Sequence, residues 1–177
     1  MKSIGNGNEL NLDKLPYPKP VMQRYADMIR RPQRLAWDEQ GMMANLAEIR
    51  RRFNAEERFF LTGYSGGGFV LYLWLLHHSE QLLGAAAGSA NYWGAFLENG
   101  KTDPQGGGCP VLIVTGSNDS AGKERIFPQA EEAAKKLAEF GFKDIDKRHL
   151  AGRSHEPFYE LGLELLDKLV AARAKKK

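Results

Sequence analysis

The sequence predicts an α/β fold, a mainly parallel sheet flanked by helices on both faces, and three observations predict it. Short apolar runs of strand length alternate with longer stretches of helical spacing. Two of those runs, Gly84 to Ala90 and Pro110-Val111-Leu112-Ile113-Val114-Thr115, are apolar at consecutive positions, as strands covered on both faces require. Glycines punctuate the joins between runs and helices. A chain of 177 residues buries one sizeable core, so a single domain over 1–177 is expected.

Taken in order, Met1 to Pro20 is rich in Gly, Asn, Pro and Lys without periodicity and reads as an irregular arm. Val21 to Arg31 suits a helix. Asp38 is placed to cap a further helix in which Met42, Leu46, Ile49 and Phe53 recur at spacings of four, three and four. Arg58-Phe59-Phe60-Leu61-Thr62 reads as a strand ending at Gly63, and the run Phe69 to Leu76 behind Gly68 reads as a buried helix, the two joined by a sharp turn. Gly84 to Ala90 and Pro110 to Thr115 are the next strands, the second strongly so because β-branched residues dominate it, with Gly106-Gly107-Gly108 between them. Gln129 to Phe140 sets Ala130, Ala133, Ala134, Leu137 and Phe140 on one helical face and stops at Gly141, a natural C-cap. Ile145 to Leu150 suits one more strand. Pro157 fits the first turn of a last helix striped by Leu161, Leu165 and Leu169.

Bulk composition narrows the classes. The formal charge is +3, from 25 Lys and Arg against 22 Asp and Glu, and part of it sits in the tail residues Arg173, Lys175, Lys176 and Lys177. No groove-reading motif accompanies that charge, so no nucleic-acid partner is expected. Cys109 is the only cysteine, which excludes an internal disulfide and a multi-cysteine metal site. No stretch has the apolar length of a membrane span, and Met1 to Pro20 lacks the apolar core of a signal peptide. The expected location is cytoplasmic, or secreted where a leader has been removed.

The chemistry gathers around Gly63-Tyr64-Ser65-Gly66-Gly67, a G-x-S-x-G in which glycines permit a tight strand-to-helix turn that holds the serine hydroxyl clear of the sheet. Such a motif arises by chance in roughly one sequence of this size in ten, so its setting decides, and here a strand precedes it and a helix follows. A serine hydroxyl is a weak nucleophile near neutral pH; it needs a base to take its proton and a carboxylate to orient that base. Asp119 lies directly past the best strand in Thr115-Gly116-Ser117-Asn118-Asp119, and His155 lies in Gly152-Arg153-Ser154-His155 between the last strand and the last helix. Glu124 is a rival acid, Asp144 and Asp146 are less well placed, and His149 competes with His155 from within a strand.

With this chain order of Ser, Asp and His, the sequence resembles the α/β-hydrolase superfamily, and in detail its polyhydroxybutyrate-depolymerase and feruloyl-esterase-like branch, over about Asp38 to Ala172. Residues 38–172 then correspond to the C-terminal half of the hydrolase fold, shortened at the N-terminus. The resemblance implies Ser65 as nucleophile, Asp119 as orienting acid and His155 as base, with the backbone N–H of Gly66 as one oxyanion donor. It implies ester substrates, small or polymeric, cleaved without metal or organic cofactor. A serine peptidase of the same fold, or a degenerate hydrolase fold kept as a binding module, are the alternatives.

Residues 1–57 depart from the family pattern: they show neither the several strands that precede the elbow nor an H-G type loop for the second oxyanion donor. An open sheet edge is therefore expected, and three arrangements answer it: a fragment of a longer product, an arm folded over the edge, or a homo-oligomer that hides it. Tyr64, Tyr92 and Trp93 are placed to line a substrate pocket or simply to fill the core. His77-His78 invites a metal reading, but adjacent helical side chains diverge and no further ligands complete a site. Ser65 stands where a dinucleotide-binding G-x-G-x-x-G needs its second glycine, which argues against nucleotides.

Overall fold

The computed structural model describes residues 32–92 and 108–175; the expected arm, the Val21 to Arg31 segment, Trp93 and Gly106-Gly107 lie outside them. The chain divides into two compact units, residues 1–47 and 48–177. Helix α1 (Pro32–Phe53) crosses that division. It begins six residues before Asp38, at a proline, whose fixed φ and missing N–H suit the first helical position. Its apolar stripe does not end in a core: Ile49 and Phe53 are 46% and 74% exposed. Periodicity identifies the face of a helix, not what that face meets.

Residues 48–177 carry the sheet. Four strands, β1 (Phe59–Tyr64), β2 (Leu82–Gly88), β3 (Val111–Gly116) and β4 (Ile145–Leu150), lie side by side in chain order, every pair parallel. Each crossover but one contains a described helix, α2 (Gly68–His77) after β1, α3 (Phe127–Glu139) after β3, and α4 (Tyr159–Ala174) follows β4. Parallel order puts all four C-terminal ends at one edge, where loops from different strands meet. Among the described residues β1 pairs on one side only.

The two faces are filled differently. Helix α2 is apolar nearly all round, and Leu71, Tyr72, Trp74 and Leu75 are fully enclosed; complete burial of one such side chain is worth roughly 1.5–3 kcal/mol. On the other face α4 packs through Leu161 and Leu165 against Ala86, Leu112, Val114 and Phe60. Strand β2 is built from Leu-Leu-Gly-Ala-Ala-Ala-Gly, a composition poor in strand formers. Its small residues let helices come close: a Cβ on Gly84 would stand 2.6 Å from the tip of Leu169, and Gly162 of α4 lies over Ala86.

Helix α3 starts at Phe127, two residues before the expected Gln129, and closes at Gly141, whose φ of +92° supplies the expected cap. Pro157 does not open the last helix. The chain passes instead through Phe158 in the left-handed conformation, φ 52°, and α4 begins at Tyr159. That reversal buries the Phe158 ring in the cluster beneath α4 and leaves Pro157 to the preceding loop. Among the described residues no helix is long and apolar enough to cross a membrane.

Candidate active site

Strand β1 ends at Tyr64 in extended backbone, φ −122° and ψ 135°, and the next residue, Ser65, has φ 49°. A single turn of 3₁₀ helix, Ser65–Gly67, then leads into α2. A left-handed serine costs on the order of 1–3 kcal/mol and persists only where its surroundings enforce it. Two features enforce it here. The Asn91 N–H donates to the Ser65 carbonyl at 2.8 Å, and Gly68 lets the helix start sit directly on Ala90 and Asn91, where a Cβ would come within 2.6 Å of the Asn91 carbonyl oxygen. Gly63 is equally committed, since its Cβ would stand 2.8 Å from that of Leu71. Gly67, the last letter of G-x-S-x-G, has an ordinary φ of −65°, and a Cβ added there would meet nothing within 4 Å. The turn thus demands Gly63 and Gly68, the second one place beyond the motif.

Asp119 lies three residues past the end of β3, its side chain wholly enclosed. One carboxylate oxygen accepts the Ala121 N–H at 2.9 Å and the other meets His155 Nδ1 at 2.6 Å. An ionised carboxylate only accepts, so it pairs with Nδ1–H, the tautomer that in a neutral imidazole leaves the lone pair on Nε2, as a general base requires. His155 is partly exposed. The acid and base predicted from sequence are thus brought together, and the serine stands at the same edge of the sheet.

The loops bearing Asp119 and His155 are also joined through their main chains. Ser117 N–H donates to the Leu150 carbonyl at 2.9 Å and Asn118 N–H to the Arg153 carbonyl at 2.8 Å, while Gly152 N–H donates to Ser117 Oγ at 2.9 Å. The His155 loop then presses onto the strand ends. A Cβ on Gly88 would lie 2.1 Å from the Pro157 carbonyl oxygen, and one on Gly116 2.4 Å from that of Arg153. Within the loop, Arg153 grips both Glu156 and Glu160 and lies over the Phe158 ring at 5.0 Å. The guanidinium, aided by the Ser154 N–H, holds the Glu156 carboxyl down at about 2.

The remaining sequence candidates fall as follows. Gly66 is exposed within the 3₁₀ turn that leads into α2. Tyr64 donates its hydroxyl to the His155 carbonyl at 3.0 Å. Tyr92 is fully buried, its ring edge-on to Tyr72, and so belongs to the interior. Trp93 lies outside the described residues. Glu124 is exposed on the turn before α3. His149 sits in β4 bonded to Thr115 Oγ1 at 2.8 Å and edge-on to Phe127. Asp144 and Asp146 lie at the opposite end of the sheet, Asp146 paired with Arg148. His77 and His78 end α2, with His78 against Trp74, and no group of three or more potential metal ligands occurs among the described residues.

By sequence the chain matches no protein-family model and no curated protein. Its structure is similar to a carboxylesterase of Bacillus cereus, with TM-score 0.61 and 18% identity over 79% of this chain and 62% of that one. It is also similar to SOBER1 of Arabidopsis thaliana, TM-score 0.60 and 17% identity over 81% and 66%, and to acyl-protein thioesterase 2 of Zea mays, TM-score 0.50 and 16% identity over 73% and 65%. The fold is the α/β-hydrolase fold. The chain spans just under two thirds of the length of these three proteins.

Two outcomes are expected of this hydrolase fold. Gly67→Ala keeps its thermal midpoint within about 2 °C, whereas Gly68→Ala loses about 1–3 kcal/mol from overpacking, a drop of several degrees in a thermal melt. Glu156 has its folded carboxyl depressed from an ordinary 4.5 to about 2. Its contribution to stability is therefore present above pH 4.5 and is lost as pH falls through about 2. The midpoint difference between wild type and Glu156→Gln, small because the pair is solvent-screened and only partly buried, is expected to shrink between pH 5 and about 2 and to shrink again in high salt.

Proposed function

We propose that the protein is a serine hydrolase that cleaves carboxylic esters through an acyl-enzyme formed on Ser65. The observation that carries the reading is the 2.6 Å bond between His155 Nδ1 and buried Asp119, made at the strand edge where Ser65 occupies its left-handed turn. Similarity in fold to a carboxylesterase, an acyl-protein thioesterase and a monoacylglycerol lipase of Paleococcus ferrophilus supports it.

In this reading His155 Nε2 takes the Ser65 proton as Oγ adds to the ester carbonyl carbon, and Asp119 stabilises the imidazolium that forms. The oxyanion gains a hydrogen bond from the Gly66 N–H; that donor belongs to the main chain and survives any side-chain change. His155 returns the proton to the departing alkoxide, and a water, activated by the same imidazole, releases the acid. The sequence resemblance suggests polyester, feruloyl and acetyl-sugar esters as substrates. The names of the structural neighbours add acyl thioesters, which present the same carbonyl carbon with a sulfur leaving group.

The test combines labelling by a fluorophosphonate probe with hydrolysis of p-nitrophenyl acetate and butyrate. Wild type is expected to label and turn over, Ser65→Ala to do neither, and Asp119→Asn to retain its fold with kcat lowered by about 10³–10⁴. Folded wild type no more reactive than Ser65→Ala would overturn the proposal.

A further inference from the structure

Asp119 fixes one atom of the base, Nδ1, and a single hydrogen bond leaves the imidazole able to swing about it. What limits that swing comes from the other side of the site. Tyr64, the last residue of β1 and the neighbour of Ser65, reaches across 91 residues of chain to donate its hydroxyl to the His155 main-chain carbonyl at 3.0 Å. Its ring also meets the imidazole, with centroids 5.1 Å apart and planes inclined by 47°. The same residue therefore touches the base at two points while its own backbone is continuous with the nucleophile.

We propose that Tyr64 is a positioning residue that sets the distance and tilt of His155 relative to Ser65, rather than a wall of the substrate pocket. The inference rests on the esterase reading above for its kinetic consequence, though not for its structural one. The hydroxyl is engaged with a main-chain acceptor, which is how a side chain fixes a loop instead of a ligand. The other anchors of the loop act before or after His155: Asn118 on the Arg153 carbonyl, Glu156 on the Ser154 N–H, and Gly88 beneath Pro157. Tyr64 holds the residue between them. Because Tyr64 ends a paired strand, opposite Gly88 of β2, displacement of the tether requires the strand end to move.

The decisive variant is Tyr64→Phe, which deletes the hydroxyl and keeps the ring. On p-nitrophenyl acetate and butyrate it is expected to lower kcat by about 10- to 100-fold with KM changed less than twofold for either ester, since misplacement of a reacting group acts on the chemical step. Tyr64→Ala, which also removes the ring contact, is expected to fall further. The second readout does not depend on turnover: the downfield Nδ1 proton of His155, assigned by its loss in Asp119→Ala, is expected to broaden or vanish in Tyr64→Phe while the thermal midpoint stays near that of wild type. Unchanged kcat, or a rise in KM that grows with acyl length at constant kcat, overturns the positioning role. Wild type that is folded but inert removes the esterase reading instead, and the proton resonance then decides alone: a sharp, unshifted line in Tyr64→Phe overturns the tether.

Discussion

The arrangement of this site depends on a close approach of main chain to main chain. The loop Arg153 to Pro157 lies directly on the C-terminal ends of β2 and β3, and it reaches them only because Gly88 and Gly116 have no side chain there. Any Cβ at either position would lie within 2.5 Å of a carbonyl oxygen, and backbone cannot yield as a flexible side chain does. Once the loop is seated, Asn118 and Ser117 pair with Arg153 and Gly152, and the carboxylate three residues past β3 meets the imidazole five residues past β4. The Asp119–His155 pair is thus a consequence of backbone packing more than its cause.

The elbow shows the complementary device, strain held by burial. Ser65 is kept in the left-handed region by what lies on either side of it: a paired strand before, and after it a helix whose Leu71, Trp74 and Leu75 are wholly enclosed. Releasing the turn would withdraw that helix from the sheet. The gain from burying several large side chains, each roughly 1.5–3 kcal/mol, outweighs about 1–3 kcal/mol of backbone strain. Gly63 and Gly68 permit the required contacts at the two ends of the turn, and Gly67 takes no part in them. The strained turn lies at the C-terminal edge of the sheet, where the other loops meet.

Polar groups at that edge are matched to the same end. The Asp119 carboxylate is enclosed yet satisfied on both oxygens, by the Ala121 N–H and by His155, which is the condition for a buried carboxylate to hold a base in one tautomer. Around it the partly exposed Arg153 pairs with Glu156 of the same loop and with Glu160 at the start of α4, which stiffens the loop. Tyr64 completes the set by linking the strand that runs into Ser65 to the loop that carries His155.

Much of this was legible in the residues. Consecutive apolar runs in β2 and β3, helical spacing over α3 and α4, and the ordered motifs Gly63 to Gly67, Asp119 and His155 determine an α/β chain with three chemically capable side chains, each just past a strand end, because period and local turn chemistry are written locally. Tertiary structure alone decided that Phe158 turns left-handed so that Pro157 ends the loop over Gly88, that Gly68 rather than Gly67 is required at the helix end of the elbow, that Tyr92 is interior, and that Tyr64 spends its hydroxyl on His155. Each of these is a contact between segments far apart in the chain. No period or motif records how close two backbones come, so the need for a missing Cβ or the partner of a phenol appears only when the strands are placed side by side.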